Sequence, residues 1–435
     1  MTVNPFPVAN VPFGIISTEK NTLPRPATLI DDTVVDLASL EVLGAFDHIE
    51  AVKSAKPFQS SYLNNFAALD KAARSAVRAH IQKLWTEGTL HKTYSAALLP
   101  ARSVHNHVPM HTINYADYVS SRGHFENIQN LMNTPLPARS PFYHMPTGYY
   151  GNSRNIVVSG TPVYRFWGLI ADQFQTEKPA TAGPSQKFDY ELELGVYLCG
   201  GKPYGEPIRV EEADDYVFGF VLLNDWSGRD IQRAESGGPT GPFLAKSGCV
   251  TISPWIVTLE AVAAARRPRQ QPAVVPFVAH LSEDASTLDP CLVIRCSAFW
   301  KGPESKDNKG SESSENFKGI QTSHADYSDT YWTYRQLLAH QTANGSMVGA
   351  GDLLGTGTMS MYQSDDMGRC CVSERTYNGS KPVDIGNGQT RAWIEDGDEI
   401  TFEGWVYDGQ TGEQLFGFGE CRGVVHPAQF GAAKI

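Results

Sequence analysis

Hydrophobic and polar positions alternate with period two through short runs of this chain, separated by clusters of Gly, Pro and Asn. In the clearest run, Tyr190, Leu192, Leu194 and Val196 alternate with Glu191, Glu193, Gly195 and Tyr197, the pattern of a strand with one apolar face. Similar runs begin at Phe13, Ala27, Thr33, Ile156, Val217, Thr251, Leu292 and Ile400. One segment changes period. Phe66, Leu69, Ala73, Val77, Ile81 and Leu84 form a helical stripe, with Asp70, Lys71, Arg74, Arg78 and Lys83 largely outside it. This predicts a helix over 65–85, capped by Asn65 and stopped near Gly88. The polar stretch Val104-His-Asn-His-Val-Pro-Met-His then reads as a loop and a domain boundary. The expected organisation is a small domain over 1–108 and a larger one over 109–435, mostly β and of the α+β class.

Composition narrows the function classes. The 435 residues are 41% hydrophobic and 19% charged, with 39 Gly and 27 Pro, as expected for a globular, turn-rich, strand-rich protein. No apolar run is long enough to span a membrane. The net charge of −11 has no basic stripe, which argues against nucleic acid as a partner. Seven scattered cysteines, with Cys370 and Cys371 adjacent and no Cys-x-x-Cys pair, argue against a disulfide framework or a zinc site. A first segment without basic and apolar regions argues against secretion, so a cytoplasmic location is expected. Ala433-Lys434-Ile435 loosely resembles a peroxisomal address. Lys301 to Gln321, polar and nearly free of apolar residues, reads as an exposed mobile loop.

The candidate chemistry begins with Glu191 and Glu193. Two residues apart on a strand, they leave it on one face, roughly 7 Å apart at the backbone. Taken alone, such a pair is usually a solvated outer face rather than a cation site. A third acid, Asp225, ends the apolar run from Val217 and precedes a helix-like segment. Asp117 is a plausible fourth, and His124, seven residues on, a candidate base. An all-oxygen set without Cys or His points to a hard cation: Mg²⁺, Ca²⁺ or Mn²⁺. His105, His107 and His111 form a weaker metal pattern that a polar loop explains as well.

These residues sit in ordered motifs. They include Asn10-Val-Pro-Phe-Gly, Asp117 through His124, Pro146-Thr-Gly-Tyr-Tyr-Gly, Tyr190-Glu-Leu-Glu, and Asn224-Asp-Trp-Ser-Gly-Arg-Asp-Ile-Gln232. Further on stand Gly241-Pro-Phe-Leu-Ala-Lys246-Ser, Thr251-Ile-Ser-Pro-Trp and Asp384-Ile-Gly-Asn-Gly-Gln-Thr-Arg. Across nearly its full length the chain resembles the fumarylacetoacetase (fumarylacetoacetate hydrolase) family. The resemblance implies an N-terminal SH3-like barrel, a large mixed β-roll and a homodimer. It implies Asp117, Glu191, Glu193 and Asp225 as metal ligands and His124 as the base that activates water, with Glu374 orienting it. Arg229, Gln232 and Lys246 fall on polar residues around the reacting carbonyl, and Tyr149 and Thr358 on substrate contacts. The expected partner is a small keto acid.

Departures cluster on the substrate side. By the resemblance, Val119 and Ser236 stand where tyrosines are expected, and Asn133 where an arginine would hold a distal carboxylate; Arg139 is six residues on. Tyr150 and Asn152 replace a histidine and an arginine. Val250 replaces a threonine, which puts any second metal site beside Lys246 in doubt. Fewer donors for an anionic tail suggest retained chemistry on an altered, less charged or bulkier substrate. Decarboxylation or tautomerisation of a 2-oxo acid is the competing chemistry, and a binding protein without activity ranks third.

Overall fold

The computed structural model describes residues 4–132, 140–170, 181–236, 240–271, 273–283, 290–303 and 317–430. Asn133, Arg139, most of the polar 301–321 segment and the last five residues lie outside them.

The N-terminal region is an open antiparallel sheet ordered Leu98–Pro100, Thr33–Asp36, Arg25–Ile30, Phe13–Ser17 and His105–His107, a curled half-barrel. The histidine-rich stretch expected as a loop therefore contributes a strand, with His107 opposite Ile15. Its alternation is too short to register as periodicity, and only pairing with Phe13–Ser17 defines it.

The expected single helix over 65–85 is two. Asn64–Ala67 forms one turn, and Lys71–Thr86 starts afresh where the Asp70 carboxylate accepts from Ala73 N at 2.7 Å. The true N-cap is thus Asp70, whose side chain satisfies a first-turn N–H, while Asn65 is exposed. Arg78, expected outside the apolar stripe, is buried. Its guanidinium donates to the backbone carbonyls of Ala9 and Asn10, tying the helix to the N-terminal segment.

A large mixed sheet carries the site. Its order is Thr147–Tyr150, Tyr115–Val119, Leu353–Gly355, Leu192–Leu198, Val217–Asp225, Val250–Ile252 and Ile156–Val158. A second sheet, Ile320–Asp326, Ile294–Lys301, Glu399–Tyr407, Gln414–His426 and Val163–Tyr164, packs against one face. The N-terminal region covers the other. Leu192, Leu194, Val196 and Leu198 enter the first core, whereas Tyr197, Val221 and Leu223 join Phe13, Phe66 and Val77 in the second. Leu192–Leu198 is consequently buried at every position. Its glutamate-bearing face meets protein, and the solvated-face reading of Glu191 and Glu193 fails for that reason.

All seven cysteines are buried and unpaired. Among the described residues no helix is long and apolar enough to cross a membrane.

Candidate metal centre and active site

Asp117, Glu193 and Asp225 are brought together by neighbouring strands, and Glu191 just precedes Leu192–Leu198. Asp117 pairs across Gly355, which in turn pairs with Gly195 in the central strand. Leu192 opposes Asn224, so the start of one strand and the end of the next bring Glu191 close to Asp225. Glu191 is held by a single bridge to Cys371 rather than within the strand. Carboxylate oxygens of the four acids all lie within 4.8 Å of one another, and all four residues are buried. Space for Asp117 depends on Gly355. A Cβ there would sit 2.3 Å from Asp117 Oδ1, so any side chain would displace that carboxylate. Gly357, at φ +73°, donates its N–H to Glu193 Oε2 at 3.0 Å, a backbone conformation that favours glycine.

Electrostatics leaves this cluster short of positive charge. Lys246 Nζ donates to Asp225 Oδ2 at 2.7 Å and also to Glu191. Arg229 reaches Glu191 at 2.6 Å and Asp189 at 2.7 Å. Asp117 and Glu193 have no cationic partner among the described residues. Glu193 Oε1 and Asp225 Oδ1 are buried without any hydrogen-bond donor. Burial, reinforced by the neighbouring acids, pushes Glu193 well above the usual carboxylate range and raises Asp225 to about 8. Burial would raise Glu191 too, but Arg229 and Lys246 hold it low. Two buried carboxylates without counter-ions, together with orphaned oxygens in an all-oxygen set, fit a hard divalent cation.

The second group is a dyad. His124 lies in the first turn of helix Arg122–Leu131, whose N-cap Ser121 accepts from His124 N at 3.0 Å. Ser121 Oγ also donates to the carbonyl of Ser360. Gly123 allows the close approach, because a Cβ there would meet that same carbonyl oxygen at 2.4 Å. His124 Nδ1 is 2.8 Å from Glu374 Oε2, across 250 residues of sequence. Asn127 and Ser360 donate to the same carboxylate at 2.8 and 2.7 Å. The network assigns the proton to Nδ1 and leaves Nε2 as the available base.

Both groups open on one cavity of about 1050 Å³. It is lined by Asp117, His124, Tyr149, Glu191, Arg229, Gln232, Lys246 and Thr358, and by Val119 and Ser236 among the substituted positions. Tyr149 donates its hydroxyl to Asp225 at 2.6 Å and lies 2.9 Å from Asp117. Thr358 Oγ1 is buried without a partner. Gln232 Oε1 accepts from Arg229 at 3.0 Å, which leaves its amide N–H groups for a ligand. Tyr150 is exposed and its hydroxyl accepts from Gln341 at 2.8 Å. Val250 is buried in the second core and offers no oxygen. Asn133 and Arg139 are outside the described residues.

Several partners escaped the sequence reading. Asp189, fully buried, accepts from Arg229 and from the backbone N–H groups of Val372 and Ser373, fixing Arg229 and the Glu374 helix together. Period two would have placed it with Glu191 and Glu193. Cys371, at the N-cap of helix Val372–Arg375, donates its thiol to Glu374 three residues on at 3.2 Å. Lys187, half-buried in the cavity wall, has no carboxylate partner among the described residues and lies 3.4 Å from Asn378.

Comparison with known proteins agrees over nearly the whole chain. Residues 9–109 match the family described as fumarylacetoacetase N-terminal, and residues 114–426 match fumarylacetoacetate (FAA) hydrolase C-terminal. Fumarylacetoacetase of Arabidopsis thaliana is 36% identical over 435 residues, covering 97% of this chain and 96% of the relative. That of Homo sapiens is 34% identical over 431 residues with the same coverage. In fold, the chain resembles the fumarylacetoacetate hydrolase from psychrophilic Exiguobacterium antarcticum, with a TM-score of 0.52 at 14% identity, covering 96% of this chain and 99% of that one.

Proposed function

This chain belongs to the fumarylacetoacetase family and is a hydrolase of carbon–carbon bonds, and on that footing we propose that it cleaves fumarylacetoacetate or a close acylpyruvate-like 1,3-diketo acid, dependent on a divalent metal and on water activated by His124. The observation that carries the reading is the shared cavity: a carboxylate cluster suited to a hard cation and a pre-oriented imidazole line the same walls.

Asp117, Glu191, Glu193 and Asp225 would hold the ion, which when bound supplies electrophilic polarisation of a diketone oxygen. His124 Nε2 accepts a proton from water, and Glu374 stabilises the imidazolium that results. Hydroxide adds to the carbonyl carbon. Arg229, the free amide N–H of Gln232 and the remaining N–H of Lys246 donate to the oxyanion, and one such donor is typically worth ~3 kcal/mol. The C–C bond breaks as the carbonyl re-forms. The electron pair passes to the departing carbon as an enolate, which is then protonated, giving a carboxylate and a ketone.

Loss of tyrosines at Val119 and Ser236 thins the donors around a substrate tail. Lys187 offers a positive charge in the same cavity, so an anionic tail remains acceptable. The decisive test is turnover of fumarylacetoacetate by the purified protein with Mg²⁺ or Ca²⁺, followed by loss of diketone absorbance, with Glu193→Gln as control. Metal-dependent cleavage lost in the variant is expected. A folded, metal-loaded protein that leaves the diketone intact while releasing CO₂ from a 2-oxo acid would replace this reading with decarboxylation.

A further inference from the structure

Beside the carboxylate cluster lies a second group of ligating atoms of different chemistry. Ligand atoms of His124, Cys371 and Glu374 lie within 4.8 Å of one another, and all three residues are buried. Cys371 Sγ is 3.2 Å and His124 Nδ1 2.8 Å from the same oxygen, Glu374 Oε2. In a tetrahedral zinc site with Zn–N and Zn–O near 2.0–2.1 Å and Zn–S near 2.3 Å, neighbouring ligand atoms are about 3.3–3.6 Å apart. The triad therefore needs expansion by about half an ångström between His124 and Glu374 and about 0.3–0.4 Å between Cys371 and Glu374. Ser360 Oγ, 2.7 Å from Glu374 Oε2, adds a neutral oxygen nearby.

We propose that His124, Cys371 and Glu374 form an inhibitory site for thiophilic divalent cations such as Zn²⁺ or Cd²⁺, entered from the cavity that His124 lines. Hard ions are not drawn to it, because Mg²⁺ and Ca²⁺ discriminate against sulfur and nitrogen, whereas a thiolate with an imidazole and a carboxylate selects borderline and soft ions. The exchange is balanced. Zn²⁺ enters as the thiol proton leaves to solvent and the Nδ1 proton moves to Nε2, so a thiolate, a neutral imidazole and a carboxylate hold the ion and no electron is transferred. The hydrogen bond between His124 and Glu374 is replaced by coordination at both. With Nδ1 on the metal and the proton on Nε2, the imidazole has no free nitrogen and no longer serves as a base.

The two arms of the test are independent. Spectroscopically, Co²⁺ added to the full-length protein loaded with Mg²⁺ is expected to produce a thiolate-to-cobalt charge-transfer band. That band should be absent in Cys371→Ser and Cys371→Ala and retained in Cys370→Ser. This arm needs no turnover, so it stands or falls apart from the proposed reaction. The kinetic arm rests on His124 being the base. Zn²⁺ is expected to inhibit the Mg²⁺-saturated enzyme, and Cys371→Ser to raise the half-inhibiting Zn²⁺ concentration at least ~10-fold, as loss of a zinc ligand's partner contacts alone costs ~10–100-fold in affinity. No charge-transfer band, or a band surviving both Cys371 variants, would overturn the site. Equal Zn²⁺ inhibition of wild type and Cys371→Ser would place the inhibitory ion among the four carboxylates instead.

Discussion

The carboxylate cluster and the His124–Glu374 dyad are about equally buried, yet they are built on opposite principles. In the dyad the carboxylate is fully answered: Glu374 accepts from His124, Ser360, Asn127 and Cys371. Such a network fixes one geometry and one tautomer, and burial strengthens it. In the cluster, Glu193 Oε1 and Asp225 Oδ1 are left without donors and two acids lack counter-ions. Burial there works against the charged state. One site is satisfied by the protein's own groups; the other keeps buried carboxylate oxygens unanswered, as a cation site would. Under the proposed function, the first supplies the base and the second the metal position of one cavity.

The largest effect expected comes from the incomplete side. Glu193→Gln, or removal of divalent ions by a chelator, should take turnover below detection, and the variant should show no Mg²⁺ or Ca²⁺ binding by calorimetry. Next, His124→Ala should lower kcat by ~10²–10⁴, the usual worth of a general base, while leaving calorimetric metal affinity near wild type. A variant that lost metal binding along with turnover would break the separation of the two sites. Gly355→Ala drives a methyl against Asp117 Oδ1, and metal affinity should fall ~10–100-fold, the range for disturbing a metal site from outside its ligands.

A pH dependence sharpens the comparison without mutation. Asp225, at about 8 in the metal-free protein against an ordinary value near 4, binds more protons folded than unfolded across that interval. Metal-free stability should therefore decline as pH rises from about 4 to 8. A cation displaces that proton, so the rise in Tm produced by Mg²⁺ should be larger at pH 8 than at pH 6, read by thermal unfolding. The smallest effect expected is at the rim: Lys187→Met should raise KM for a diketo acid with an anionic tail by ~10-fold, the scale of one charge-assisted hydrogen bond. A neutral-tailed analogue should be unaffected.

Much of this site is legible in the order of residues. Period two sets Glu191 and Glu193 on one face, the apolar run from Val217 places Asp225 at a strand end, and the family resemblance brings in Asp117 and pairs His124 with Glu374. Other features depend on partners far along the chain. The helix over 65–85 breaks because Asp70 captures Ala73 N, a local competition that the continuous apolar stripe hides. His105–His107 becomes a strand only by pairing with Phe13–Ser17.

Which acids share a strand face, which family the chain resembles and which cation chemistry an all-oxygen set prefers all follow from the amino-acid order, because spacing and ligand hardness are local properties. Whether the Glu191–Glu193 face meets water or protein does not. That answer comes from sandwiching Leu192–Leu198 between a second sheet and the N-terminal core. Burial by segments far along the chain leaves Glu193 without a counter-ion among the described residues and sets His124 against Glu374 across 250 residues. Such desolvation is a property of the assembled fold, and no stretch of sequence carries it alone.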